Sequence, residues 1–369
     1  MENDNGTVKI NNINNSNKIN INQGLELINI IPENLSLYLN MIGGHSFFVV
    51  YSKKYLIKSI GEKELKFYEF LHKNQIEYLH LPKFYGLIEK NTKQHQSIII
   101  YKKKCDKFFQ NMIQYFGIKS TDIDIENDLL FKKKFQDFIN EKNDIELDNS
   151  FEILKGELIQ IKKNCQKRLY WIFFWYIKWQ KEFISDRYII IQNLEYNTKM
   201  PSIIDIKLGS EKKISKETGK VKIFKGANES LGCRIMGLSS NNLYFKSRYE
   251  TKELNEDEFT KELNIFFGNK KHIITPVISE LENIIKFTQK HFLLKIYFCS
   301  LLIFFDNSED NNEVTVKLID FDLTNNIQDW NLLNEMINNP KNEQGNIQDN
   351  SRFINCMNNL IMILRNINK

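Results

Sequence analysis

The chain has few cysteines, and their pattern excludes the usual roles of clustered thiols. Five lie at positions 105, 165, 233, 299 and 356, an odd number with no Cys-x-x-Cys spacing. Neither a disulfide framework nor a zinc site is expected, and a reducing compartment fits best. A long apolar run is also missing. The most hydrophobic stretch, Leu169 to Trp179, carries Lys178 and is well short of the ~20 residues that a bilayer span needs. The first twenty residues are polar and rich in Asn, so no secretory leader is expected. There is no strong excess of one charge: 51 Lys and Arg stand against 46 Asp and Glu, a net +5. A balance this mild makes no case for nucleic acid, but it suits a small anionic ligand if the positive charge is concentrated in one place. No internal repeat is visible. We expect an intracellular, cytoplasmic protein, with the nucleus left open, and no membrane span.

What is present suits a folded chain. Its 369 residues are 42% hydrophobic and 26% charged, enough for two lobes with their own cores. Residues 1–30 read as a disordered Asn-rich tail. Residues 31–194 read as an N-terminal lobe with a charged insert at about 103–165, and residues 195–369 as a C-terminal catalytic lobe. Strands are expected around 40–50, at 55–58, at 96–101, at 188–194, at 296–305 and at 314–321. Helices are expected at 62–72, 253–267, 276–292 and 350–366. A further helix at 166–181 sets Trp171, Trp175 and Trp179 on one face as a packing stripe. Residues 211–228 read as loop and irregular helix. The fold class is α+β, two-lobed, with antiparallel sheets and a nucleotide between the lobes.

The most informative segment is Pro201-Ser-Ile-Ile-Asp205-Ile-Lys207-Leu-Gly209. A strand presents alternate residues on one face, so Asp205 and Lys207 project together from an otherwise apolar strand. A buried carboxylate is costly unless it is paired or binds something, which makes this pair a candidate for chemistry. Lys58 ends an earlier strand and Glu64 follows on a helix, the arrangement of a phosphate-binding lysine steadied by a carboxylate. Later come Ser300-Leu-Leu and Lys317-Leu-Ile319-Asp320-Phe321. Asp320 offers the oxygen ligand that a hard cation prefers. Phosphoryl transfer needs little more than ATP held, Mg²⁺ held and cations placed where charge moves.

These segments resemble the inositol polyphosphate kinases. The Pro-x-x-x-Asp-x-Lys-x-Gly strand has the form of that family's signature, and Ile319-Asp320-Phe321 that of its metal-binding segment. The stretch Gly43-Gly44-His45, Lys58, Glu64-Leu-Lys-Phe67-Tyr68-Glu69 is similar to the N-terminal lobe of inositol hexakisphosphate kinases, as is the strand entry at Leu81-Pro82-Lys-Phe-Tyr85. Gln192-Asn193-Leu194 occupies the place of the family's adenine-binding hinge, where backbone groups read the base. The resemblance implies catalytic roles for Lys207, Asp205 and Asp320, and nucleotide contacts at Lys58, Gln192, Leu194, Asp205 and Ser300. It places Asp205 toward the ribose and Lys207 toward the transferred phosphate and the inositol substrate. It implies Mg²⁺ on Asp320, ATP as phosphoryl donor, and an inositol polyphosphate as partner. The basic segment 210–230 would bind that anion through Lys212, Lys213 and Lys225. Arg234, in Leu231-Gly232-Cys-Arg234, reads as structural or substrate-facing, with the structural role favoured.

Several positions depart from the family pattern. Cys299, Asp322, Leu323, Arg352 and Cys356 stand where other residues are usual. Three readings follow. The first is a hexakisphosphate kinase that forms a diphosphoinositol phosphate. The second is a multikinase or trisphosphate kinase acting on ring hydroxyls. The third is a catalytically weak inositol-phosphate-binding protein. A protein-kinase reading is weaker still, because the His-Arg-Asp and Asp-Phe-Gly segments are missing. The partner of the 103–165 insert is unknown.

Overall fold

The computed structural model describes residues 35–42, 48–73, 80–116, 185–209, 213–214, 221–222, 226–241, 243–268, 270–290, 299–308, 313–321 and 350–369, with single helical positions between 156 and 172. The expectations for residues 1–30, Gly43-Gly44-His45, Lys212, Lys225, Asp322, Leu323, Trp175, Trp179 and most of the insert lie outside the described residues.

The fold is α+β and is built on two antiparallel five-stranded sheets. The first takes the order β1 (Ser36–Leu37), β2 (Phe48–Ser52), β3 (Tyr55–Ser59), β5 (Arg187–Gln192), β4 (Phe84–Glu89). Helix α1 (Glu62–Lys73) packs against it through Leu65 and Tyr68. The second sheet takes the order β10 (Tyr244–Lys246), β9 (Cys233–Ser240), β6 (Pro201–Leu208), β11 (Ser300–Asp306), β12 (Val314–Ile319). The signature strand is therefore central, with a strand hydrogen-bonded to each edge.

The underside of the second sheet carries the main core. Ile204, Ile206 and Leu208 of β6 and Leu301, Ile303 and Phe305 of β11 pack there. They meet three helices: α5 (Glu256–Phe267), α6 (Ile274–Lys290) and α7 (Ser351–Ile367). In α7 the buried residues Phe353, Met357, Leu360, Ile361 and Leu364 recur at helical spacing, which gives it one apolar face. Helix α5 begins with a capping box between Asn255 and Glu258, which satisfies two otherwise orphaned backbone donors. Among the described residues, no helix is long and apolar enough to cross a membrane.

Two sequence expectations fail. The segment 96–101 is not a strand; it lies within helix α2 (Lys93–Phe116). The Ile-rich run suggests β structure, yet the buried positions His95, Ile98, Lys102 and Cys105 recur every three or four residues, the period of a helix. Thr92 starts the helix by accepting the His95 N–H on its hydroxyl at 3.2 Å. The chain before the glycines also leaves strand geometry early, since β1 stops at Leu37 and residues 38–42 cross toward the second sheet. Ile42 ends that crossing with its carbonyl against Gly237, where a Cβ would lie 2.1 Å from the oxygen. Only glycine fits there. In segment 211–228, β7 (Lys213–Ile214) pairs with β8 (Val221–Lys222), and α3 (Ala227–Ser230) follows; the short helix α4 (Arg248–Thr251) comes after β10.

Candidate active site

Register builds the floor of the site. Directly opposed residues in adjacent strands share a face, so β6 organises two rows across the second sheet. One row runs Gly237, Asp205, Leu302, Lys317. The next runs Arg234, Lys207, Ser300, Ile319. This face looks away from the core and toward the first sheet. Asp205 and Lys207 do share it, as the sequence spacing requires. The sequence favours a structural role for Arg234, and its register sets it beside Lys207 on this same face. Its neighbours in sequence give no sign of that pairing.

Asp320 follows the last residue of β12. A further extended residue would turn its side chain to the core side of the sheet. Instead Asp320 has φ +60°, a left-handed conformation that Asp tolerates better than most side chains. That turn brings its carboxylate up to the cleft, where it accepts a hydrogen bond from Lys58 Nζ at 3.0 Å. Lys58 Nζ also donates to Glu64 at 2.7 Å, and both of these residues are almost fully buried. Burial alone would lower the pKa of the Lys58 ammonium, but Glu64 and Asp320 outweigh it and hold it well above the usual lysine range. The pairing of Lys58 with Glu64 expected from sequence is present, and the structure adds Asp320 as a second partner.

Aromatic packing links the same parts. Phe321 stacks on Phe67 of α1 with ring centroids 4.2 Å apart and meets Tyr68 edge-on at 6.3 Å. Two motifs far apart in sequence thus meet in one contact.

Asp205 is buried, and its Oδ1 has no hydrogen-bond partner. Burial raises its pKa first and the nearby Asp320 charge raises it further; Lys207, a hydrogen bond from Ser300, and Arg234 work against them. The result is a carboxyl pushed up to about 7. Burial, then the neighbouring Arg248, lower the pKa of the Arg234 guanidinium.

Above this floor lies a cleft between the sheets. Lys58, Asp205 and Asp320 line one end, and Gln192, Leu194 and Glu195 the other. Apolar side chains, including Met41, Ile42, Ile191 and Phe304, form the walls. Gln192 is fixed by its N–H bond to the Lys83 carbonyl at 2.9 Å. Asn193 anchors the connection to the second sheet by donating from its N–H to the Lys54 carbonyl and from its side chain to the Lys53 carbonyl. Asp306 holds the other end of that connection by accepting from the backbone N–H groups of Lys199 and Met200 at 2.9 Å each.

Of the residues proposed from sequence, Lys58, Gln192, Leu194, Asp205 and Asp320 line this one cleft. Lys207 and Ser300 continue the same sheet face beyond Asp205. Lys213 is described only as part of β7, and Lys212 and Lys225 lie outside the described residues. Sequence reasoning misses Glu195, Tyr38 and Asn40. Glu195 accepts hydrogen bonds from the Tyr38 hydroxyl and the Asn40 amide. Burial, opposed by these two bonds and by Arg168, pushes its carboxyl up to about 7. The one local signal is a charged residue immediately after the hinge leucine, but its partners lie over 150 positions away.

A divalent cation and a nucleotide fit this arrangement. Two carboxylates approach each other, and one has an unpartnered buried oxygen. Among the described residues no group of three or more His, Cys, Asp or Glu could hold a metal. Mg²⁺ is commonly held by one or two carboxylates together with substrate phosphates, which is the donor set offered here.

Residues 188–365 match the family model for inositol polyphosphate kinase. Human inositol hexakisphosphate kinase 2 is 21% identical over 330 residues, spanning 74% of this chain and 75% of that protein. Inositol hexakisphosphate kinase 1 of Rattus norvegicus is 21% identical over 154 residues, 37% of this chain and 35% of its own length. Among solved structures, an inositol phosphate multikinase from S. cerevisiae, in complex with ADP and Mn2+, aligns at 16% identity with a TM-score of 0.34. That alignment covers 50% of this chain and 84% of the other.

Proposed function

We propose, from the match of residues 188–365 to the inositol polyphosphate kinase family model, that this chain transfers the γ-phosphoryl group of ATP to inositol hexakisphosphate, forming a diphosphoinositol phosphate. The observation that carries the kinase reading is the convergence of Lys58, Asp205 and Asp320 in one cleft, next to a hinge with an apolar slot. The choice of hexakisphosphate rests on the relatives of that name, which align over 74% of the chain.

The proposed roles follow from placement. The backbone at Gln192 and Leu194 receives the base. Lys58, locked by Glu64, holds phosphate oxygens with a cation whose position is fixed before the ligand arrives. Asp320, with Asp205 beside it, would hold Mg²⁺, which supplies positive charge at the phosphates when bound. Lys207 and Arg234 lie side by side on the floor and receive the anionic acceptor, and Ser300 supports Asp205. Lys212, Lys213 and Lys225 complete the acceptor site in this reading. No general base is required, because transfer through a loose transition state depends chiefly on positioning. Residues up to 194 and from 195 onward act as the two lobes of this cleft.

The test is ATP consumption with Mg²⁺ and inositol tris-, tetrakis- or hexakisphosphate offered separately, with products resolved by charge. Turnover of hexakisphosphate to a more anionic product supports the reading. Turnover of the less phosphorylated acceptors alone would replace it with a ring-hydroxyl kinase. Nucleotide binding without turnover on any of the three would leave a binding protein.

A further inference from the structure

Two recesses meet at the hinge. One is the cleft described above. The other opens on the far side of the hinge, with Lys53, Arg168 and Lys199 among its lining residues. Three residues line both: Tyr38, Asn40 and Glu195. They form the partition between the recesses, and they are also bonded to one another. The Glu195 carboxylate accepts from the Tyr38 hydroxyl with one oxygen and from the Asn40 amide with the other.

The partition ties a strap to the hinge. Residues 35–42 start as β1 on β2, where Ser36 pairs with Val50 and Leu37 with Val49. Tyr38 stays on that sheet, its ring 5.8 Å from Phe48. The chain then crosses the cleft, and Ile42 ends against Gly237, the register partner of Asp205. Met41 and Ile42 line the cleft as part of its wall. Glu195 itself is held from behind, since its backbone N–H donates to Asn193 Oδ1 at 3.1 Å, and Asn193 is bonded to the β2–β3 turn. The carboxylate is therefore a fixed post, and the strap hangs on it between its β1 end and its Gly237 end.

We propose that Glu195 is a positioning residue for the nucleotide: by holding Tyr38 and Asn40 it sets Met41 and Ile42 as the wall against which the base packs. The inference rests on the nucleotide-binding reading of the cleft. Glu195 acts through the strap and touches none of the reacting atoms. Its loss weakens nucleotide binding and leaves the acceptor site, on the floor around Lys207, as it was.

The experiment measures binding of ADP with Mg²⁺ by calorimetry to the full chain and to Glu195→Ala, Glu195→Gln and Tyr38→Phe, together with steady-state kinetics. Losing a post that makes two buried hydrogen bonds is expected to weaken binding by about tenfold. KM for ATP should rise by a similar factor, with kcat at saturating ATP and KM for the inositol phosphate unchanged. Glu195→Gln should bind almost as the wild type, because its amide oxygen can accept from Asn40 while its NH₂ donates to the Tyr38 hydroxyl. Tyr38→Phe keeps the ring and gives a milder loss, which is not added to that of Glu195→Ala in the double variant. Wild-type binding by Glu195→Ala and Tyr38→Phe overturns the proposal. So does a loss spread equally over kcat and both KM values, which would mean general damage to the fold. Failure of the wild type itself to bind nucleotide would remove the kinase reading, and this inference with it.

Discussion

Replacing Lys58 with Met tests the electrostatic centre of the cleft. Lys58 and Glu64 are 4% and 1% exposed, with Nζ and Oε1 2.7 Å apart. Removing the ammonium leaves the Glu64 carboxylate buried and deprived of its counter-charge. Breaking a buried pair from one side costs about 3–5 kcal/mol, a large share of the ~5–15 kcal/mol that holds a typical domain together. Asp320 contributes less to this loss, because at 29% exposure water can solvate it once Lys58 has gone. The variant Lys58→Met/Glu64→Leu removes both charges and replaces them with apolar volume, so it should recover most of the stability. Neither variant should bind nucleotide. Urea unfolding gives the stabilities, with the slope checked for two-state behaviour, and calorimetry gives the binding. A cost below about 1 kcal/mol for Lys58→Met, or a double variant less stable than the single one, would refute the claim that the pair is a buried, mutually dependent unit.

Lys207→Ala and Asp320→Asn should each reduce phosphoryl transfer by at least ~100-fold, while urea midpoints stay near that of the wild type; near-normal turnover in either would refute the site assignment. Gly237→Ala should destabilise the protein by ~1–3 kcal/mol, because its Cβ meets the Ile42 carbonyl at 2.1 Å; an unchanged midpoint would mean that the strap yields. The raised pKa of Glu195 gives a pH effect opposite to ordinary acid denaturation. Its carboxyl titrates near 4.5 when unfolded and near 7 when folded, so the folded state holds the extra proton between those values. Its contribution is complete below about 4.5 and is lost as pH rises through 7, at most about 3 kcal/mol. Stability of the wild type relative to Glu195→Gln should therefore fall between pH 5 and pH 7.5, and a difference independent of pH would contradict the shift.

The parts of the site legible in the sequence are those with a local signal. Asp205 and Lys207 sit two apart on a strand, so their shared face follows from the period. Lys58 and Glu64 lie across one turn, and Ile319-Asp320-Phe321 is a contiguous segment. The position of Arg234 beside Lys207 is not legible in the sequence, because it is set by register across a bulge in the β6–β9 pairing, which no local pattern encodes. Tyr38 and Asn40 give no hint of Glu195, since the bonds span more than 150 residues. The segment 96–101 fails for another reason. Its isoleucines favour a strand, but packing of His95, Ile98, Lys102 and Cys105 against one side overrides propensity.

Helix α1 carries Glu64 and Phe67 one turn apart. Glu64 grips Lys58, and Phe67 grips Phe321, next to Asp320. The helix therefore works as a lever with two loads. A tilt that slackens its hold on the cation also shifts the ring beside the carboxylate that would bind metal, and Lys58 joins those two groups directly. A state with Lys58 held by Glu64 but Asp320 displaced would break this triangle of contacts. The site should lose both parts together, and whatever displaces this one helix would act on catalysis as an on–off control.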